Sequence, residues 1–117
     1  MMNHDDPNPI RRLSPAEVAT RIAHSSTDGP VALVDVREPH EFGGGHLAGS
    51  LHIPLGTLER RLDEIPRDRP VVFVCRSGGR SMTACRLARA AGIANPGNLE
   101  GGLRAWAREI DPSLLVL

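Results

Sequence analysis

Lysine is absent from this chain: arginine supplies all fourteen basic residues, and fourteen acidic residues bring the formal net charge to zero. That balance excludes the bulk positive footprint of a nucleic-acid-binding domain or of a protein held to a membrane surface by charge. No apolar run approaches the roughly 20 residues that a membrane span needs. The opening Met1–Pro9 segment is polar, acidic and proline-rich, without the apolar core of a signal peptide. It reads as a flexible N-terminal tail, residues 1–9, on a soluble, cytoplasmic protein. Two cysteines, Cys75 and Cys85, are too few for a disulfide framework and lack metal-site spacing. His40, His46 and His52 recur every six residues, which fits no helix or strand face for metal ligation. We therefore expect a reducing compartment, no metal and no cofactor. No internal repeat or low-complexity segment is present, and 117 residues suit one domain with a single core.

Within that domain, strands and helical segments alternate. Ile10–Leu13 reads as a short edge strand. Ser14, Pro15 and Glu17 then form a helix start: an N-cap hydroxyl, proline at the first helical position and a glutamate three residues after the cap. Val18 and Ile22 share one face of that helix, and Thr27-Asp28-Gly29-Pro30 ends it. Val31–Val36 is nearly continuous apolar sequence, as in a strand buried on both faces of a parallel sheet. Pro39–Gly45 reads as a short helix or turn, and Ser50–Ile53 as a short strand. Leu55, Leu58, Leu62 and Ile65 predict an amphipathic helix. Val71–Val74 is a second buried strand, followed by a helix over Ser81–Ala91 that stops at Gly92. A last short strand near Asn98-Leu99 leads through Gly101-Gly102 to a helix with Leu103, Trp106, Ala107 and Ile110 on one stripe. Residues 113–117 form an apolar C-terminal tail, able to dock on a partner or on the domain's own surface. The alternation predicts a three-layer α/β fold with a mainly parallel sheet. Ligand sites in such sheets lie beyond the carboxyl ends of the strands, which brings Asp35-Val36-Arg37 and Cys75 together.

Cys75-Arg76-Ser77-Gly78-Gly79-Arg80-Ser81 stands where a strand hands over to a helix. Backbone amides from Arg76 to Arg80 can converge there on one anionic atom. Gly78 and Gly79 permit the positive φ values such a nest needs, Ser81 can cap the helix, and the helix N-terminus adds its positive dipole end. A thiol in that cradle is favoured as thiolate and is nucleophilic. Arg76 and Arg80 add charge at the mouth, suiting an oxyanionic sulfur or phosphorus substrate. A buried structural cysteine would not need two glycines and two arginines behind it. Cys85, in the next helix beside Ala84 and Ala88, reads as a buried core thiol, too distant to resolve a disulfide. A cysteine phosphatase uses the same logic but needs five residues between Cys and Arg. Here four separate Cys75 from Arg80. The shorter loop suits one extra sulfur atom rather than a phosphoryl group.

The ordered set of motifs resembles the rhodanese-like sulfurtransferases, in their single-domain form. It comprises Leu33-Val34-Asp35-Val36-Arg37-Glu38 with Glu41-Phe42, Gly45-His46-Leu47-Ala48-Gly49-Ser50, Ile53-Pro54-Leu55, the loop Cys75–Arg80, and Asn98-Leu99-Glu100-Gly101-Gly102 through Ala105-Trp106. The resemblance covers residues 10–112 and implies a five-stranded parallel sheet flanked by helices. It further implies that Cys75 takes the outer sulfur of a donor such as thiosulfate as a persulfide. The sulfur then passes to a thiol, to cyanide in an assay, or to a protein acceptor. In that scheme the amides hold the charged sulfur, while Arg76 and Arg80, with Ser77, Gly78, Gly79 and Ser81, bind the donor sulfonate. Asp35 and Arg37 match the family's Asp-x-Arg and read chiefly as ties for the strand end. His46 occupies the family's Gly-His position and reads as packing. Two alternatives remain open. One is a sulfur-relay partner, because Asp111-Pro112-Ser113-Leu114 resembles the ending of rhodanese domains attached to enzymes that activate sulfur carriers. The other is a binding or regulatory module without turnover.

Overall fold

The computed structural model describes residues 9–24 and 30–117. Five strands, Arg11–Leu13 (β1), Ala32–Asp35 (β2), Leu51–His52 (β3), Val71–Val74 (β4) and Gly97–Leu99 (β5), form one sheet in the order β1-β5-β4-β2-β3. Every pairing is parallel. The two continuous apolar runs occupy the protected positions: β4 lies between β5 and β2, and all four of its residues are buried. Edge strand β1 carries Arg11 and Arg12 and buries only Leu13.

Alternation along β4 divides the core. Phe73 points with Val34, Ile53, Leu58, Ala84, Cys85 and Ala88 into one layer. Val72 and Val74 point with Leu13, Val18, Leu99, Leu103 and Trp106 into the other. The first layer is closed by the helix Gly79–Ala90 (α3) and the second by Pro15–Ala23 (α1) and Gly102–Glu109 (α4). A short helix, Pro39–Gly44 (α2), follows β2. Helices on both faces of a parallel sheet are the three-layer α/β architecture expected. Among the described residues no helix is long and apolar enough to cross a membrane.

The start of α1 has the expected capping box: the Glu17 N–H donates to Ser14 Oγ at 3.1 Å, and the Ser14 N–H donates to Glu17 Oε1 at 3.0 Å. Val18 is fully buried, but Ile22 is exposed, because α1 ends at Ala23 and only its first half covers the sheet. The turn expected at Thr27–Gly29 lies outside the described residues, as does most of the N-terminal tail.

Leu55–Ile65 departs from expectation. In place of one α-helix there are two 3₁₀ segments, Leu55–Arg60 and Leu62–Glu64. The bonds run from Thr57 N–H to the Pro54 carbonyl, Arg61 N–H to Leu58 and Ile65 N–H to Leu62, each spanning three residues. Gly56 weakens an α-helix here, and the Thr57 hydroxyl also donates to the Pro54 carbonyl. Leucines three apart share a face of a 3₁₀ segment, and the break at Arg61 turns the next pair, Leu62 and Ile65, back to the core. A spacing of three, four and three is therefore compatible with either structure. In α4, Ile110 falls outside the helix and is partly exposed, so the apolar stripe narrows to Leu103 and Trp106.

The C-terminal residues lie on the domain itself. Leu114 and Val116 pack beside the α1–α4 layer, whereas Leu115 and Leu117 are 70% and 53% exposed. Gly45 is needed at the contact, since a Cβ there would strike the Leu115 carbonyl.

Candidate active site

Cys75 follows the last residue of β4, and its side chain is 1% exposed. The chain then turns at Gly78, whose φ of 108° places it in the left-handed region, and α3 starts at Gly79. This turn aims two amides at the sulfur: the Gly78 N–H donates to Sγ at 3.1 Å and the Ser81 N–H at 3.3 Å. Ser81 Oγ lies 3.2 Å from Sγ. Both amides belong to the start of α3, so the sulfur also sits at the positive end of that helix.

Three expectations for the loop change. Gly79 has an ordinary helical φ and open space where a Cβ would be, so only the first of the two loop glycines is required by backbone conformation. Ser81 is not the helix cap. Gly78 holds that place, and Ser81 sits in the first turn, fully buried against the sulfur, because the helix begins two residues earlier than its apolar pattern. Arg80 is not a free cation at the mouth. Its Nη1 donates to Glu41 Oε1 at 2.7 Å and its Nη2 to Glu41 Oε2 at 2.9 Å, a bidentate pair between α3 and α2. The Glu38 N–H adds a bond to Glu41 Oε1 at 2.9 Å. These partners, the Arg80 hydrogen bonds first, hold the Glu41 carboxyl far below its ordinary value, at about 2. Glu41 in turn raises Arg80, and Cys75 lies close enough to add to that effect. Arg76 is exposed and has no ion pair among the described residues; Ser77 is exposed beside it.

The loop is also held from behind. The Leu103 N–H donates to the Cys75 carbonyl at 2.8 Å, and the Arg104 N–H donates to the Arg76 carbonyl at 3.0 Å. These donors are free because they belong to the first turn of α4. Such closeness requires Gly102, with φ of 65° and no space for a Cβ against the Arg76 carbonyl and the Ser77 nitrogen.

Asp35 and Arg37 stand at the same end of the sheet, where β2 pairs with β4 and the Val36 N–H donates to the Val74 carbonyl. Both are fully buried. Arg37 Nη2 donates to Asp35 Oδ2 at 2.9 Å and to the Gly45 carbonyl at 2.7 Å, tying the strand end to the end of α2. His46 stacks on Phe42 at 3.7 Å, and His52 stacks on the other ring face at 4.2 Å. Their free nitrogens bond the Phe42 and Arg37 carbonyls at 2.8 Å each. Cys85 lies in the apolar layer under α3, where burial pushes its thiol up to about 12.

Sequence reasoning quoted Glu41 and Asn98 within larger motifs but assigned neither a role. Asn98 in β5 receives a 2.5 Å hydrogen bond from Ser81 Oγ, and its Nδ2 donates to the Gly78 carbonyl at 3.2 Å. The signal the sequence offers is a polar asparagine between Gly97 and Leu99, just ahead of the Gly101-Gly102 pair. A cavity of about 480 Å³ opens near Arg11, Pro70 and Ile93, at the opposite end of the strands, and Cys75 does not line it. Chemistry therefore marks the site where cavity size does not.

A family model described as Rhodanese-like domain matches residues 14–109. A protein of Allochromatium vinosum named Sulfurtransferase is 45% identical over 99 residues, covering 85% of this chain and 90% of the relative. Uncharacterized protein YqhL of Bacillus subtilis is 44% identical over 78 residues, 67% of this chain, and this chain spans only 62% of that relative. Putative sulfur carrier protein YrkF, also of B. subtilis, is 35% identical over 80 residues, 68% of this chain and 43% of the relative. Among solved structures, a rhodanese-like domain protein from Staphylococcus aureus superimposes with a TM-score of 0.78 at 28% identity, covering 92% of this chain and 99% of that one.

Proposed function

The chain belongs to the rhodanese-like domain family, and from that premise we propose that it is a sulfurtransferase carrying sulfur as a persulfide on Cys75. The observation that carries this reading is the placement of Cys75 Sγ, against two backbone N–H groups at the start of α3. Thiosulfate is the proposed donor. The Cys75 thiolate attacks its outer sulfur, a new S–S bond forms, and the original S–S bond breaks with its electron pair leaving on sulfite. The negative charge moves to the outer sulfur of the persulfide. Attack there by cyanide or a thiolate forms the product and returns the electron pair to Cys75. No oxidant or metal enters the balance, and two half-reactions predict ping-pong kinetics. The amides supply charge stabilisation already in place.

We assign the two arginines different work. Arg80, held by Glu41, contributes fixed charge toward Cys75, while exposed Arg76 is the cation we assign to the donor sulfonate. Ser77, Gly78, Gly79 and Ser81 shape the cradle, and Asp35 with Arg37 secures its floor. We place the protein in a reducing, cytoplasmic setting, where a Cys75 thiol stays available for transfer.

A second reading gives the sulfur to a protein acceptor, and the relative named a putative sulfur carrier supports it. Intact mass after incubation with thiosulfate tests both. The native chain gains one sulfur, about 32 Da, and Cys75→Ala gains none. A persulfide that turns over poorly to cyanide favours the protein acceptor. No adduct from any sulfur donor, with hydrolysis of an aryl phosphate instead, overturns sulfur transfer in favour of phosphatase chemistry.

A further inference from the structure

Asn98 is buried, polar and one side chain removed from the reactive sulfur. Its Nδ2 donates to the Gly78 carbonyl, which fixes the amide orientation and leaves Oδ1, an acceptor only, facing Ser81. The single proton of the Ser81 hydroxyl therefore lies on the bond to Asn98. The side of Ser81 Oγ turned toward Cys75 Sγ then carries lone pairs. The S–H of a neutral Cys75 can donate to Ser81 Oγ while Sγ accepts from the Gly78 and Ser81 amides; a thiolate there accepts from the two amides alone. Once Cys75 ionises, the hydroxyl can satisfy the sulfur only by turning away from Asn98, leaving Oδ1 buried without a donor.

We propose that Asn98 is a positioning residue that draws the Ser81 hydroxyl proton away from Cys75, so that the thiolate is held by backbone amides alone and stays reactive. The proposal deepens the sulfur-transfer reading and rests on it for its purpose. In the persulfide the charge sits on the outer sulfur, the inner Sγ has no proton to donate, and the Ser81 proton stays with Asn98 uncontested. Asn98 thus favours the persulfide over the free thiolate. Among the described residues, the titratable groups near Cys75 include Arg80, tied to Glu41 of α2, the Cys85 thiol of α3 and the exposed Arg76 that follows it in the loop, and none of these has a hydrogen bond to Ser81 or Asn98.

Alkylation of Cys75 by iodoacetamide, followed by intact mass, tests this in the native chain, Asn98→Leu, Ser81→Ala and the double variant. Replacing Asn98 frees the hydroxyl to serve the thiolate. Alkylation of Asn98→Leu at mildly acidic pH, below the ordinary thiol range, then rises about threefold: one hydrogen bond to a charged sulfur is worth roughly a tenfold gain in thiolate, and about a third of it survives the lower nucleophilicity of the better-satisfied sulfur. At alkaline pH the sign reverses and Asn98→Leu alkylates about threefold more slowly, because only the nucleophilicity of the sulfur then counts and the better-satisfied thiolate is the weaker nucleophile. In the Ser81→Ala background the same replacement changes nothing, since no hydroxyl remains to be redirected. The Gly78 carbonyl keeps its bond from the Met82 N–H at 3.2 Å in every variant, and Asn98→Ala repeats the cycle should Asn98→Leu not fold. Equal effects in both backgrounds, or none in the native background, overturn the proposal. Alkylation needs no sulfur donor, so failure of the native chain to form a persulfide counts against sulfur transfer and leaves this cycle to be judged by its own result.

Discussion

Replacing Glu41 by glutamine removes a charge from the ion pair that fastens the start of α3 to α2. Glu41 is largely buried, and its carboxyl stands at about 2 against an ordinary 4.5, chiefly because Arg80 donates to both of its oxygens. At about 1.4 kcal/mol per pH unit, that gap corresponds to roughly 3 kcal/mol favouring the charged form in the folded state. The Arg80 side chain is 36% exposed, so solvent screening reduces the expected loss in Glu41→Gln to about 1–2 kcal/mol at neutral pH. The sign follows from the depressed value. The native chain has this stabilisation in full above the unfolded carboxyl's range near 4.5 and loses it as pH falls toward about 2. Urea unfolding of both proteins across that range is the assay. The native chain starts more stable, and the difference shrinks toward zero as the medium is acidified. A difference that stays constant with pH refutes the ion pair as its source and points to altered packing of α2.

Three further outcomes follow from the site's geometry. Gly102→Ala places a side chain on a left-handed backbone against the Arg76 carbonyl, so denaturant unfolding should show a loss of about 2 kcal/mol or more, with reduced persulfide formation. Native stability in that variant refutes the close approach of α4. Arg37→Met leaves the Asp35 carboxylate buried without its partner and should cost about 3–5 kcal/mol in the same measurement, with Asp35→Asn/Arg37→Met recovering part of it. Peptide mapping after limited alkylation should find the label on Cys75, with Cys85 labelled only on unfolding, because burial keeps Cys85 protonated.

The central strands and the loop were legible because their signals are local. Val31–Val36 and Val71–Val74 are apolar on both faces, Ser14-Pro15-x-Glu17 encodes a helix start within four residues, and Gly78 marks the turn that brings the amides to the sulfur. The resemblance added the strand count and the persulfide proposed for Cys75. Partners distant in sequence were hidden. Arg80 read as a free cation because Glu41 lies 39 residues away, and the two meet only once β2 and β4 are neighbours. Ser81 read as a cap because helix propensity favours a hydroxyl over glycine at that place; the left-handed turn at Gly78 overrides it. The role of Gly102 depends on how closely α4 approaches the loop, which no local pattern reveals. The 3₁₀ segments escaped because leucines at three and four residues satisfy both helix types.

The clamp of α4 on the Cys75 and Arg76 carbonyls also limits what the loop can become. A peptide flip that swung either carbonyl toward the sulfur would set an oxygen beside an anion and would break a hydrogen bond to the first turn of α4. The path of the chain out of β4 is therefore fixed as far as Ser77, and the Gly78 and Ser81 amides that meet the sulfur follow a strand exit that needs no ordering when a donor arrives.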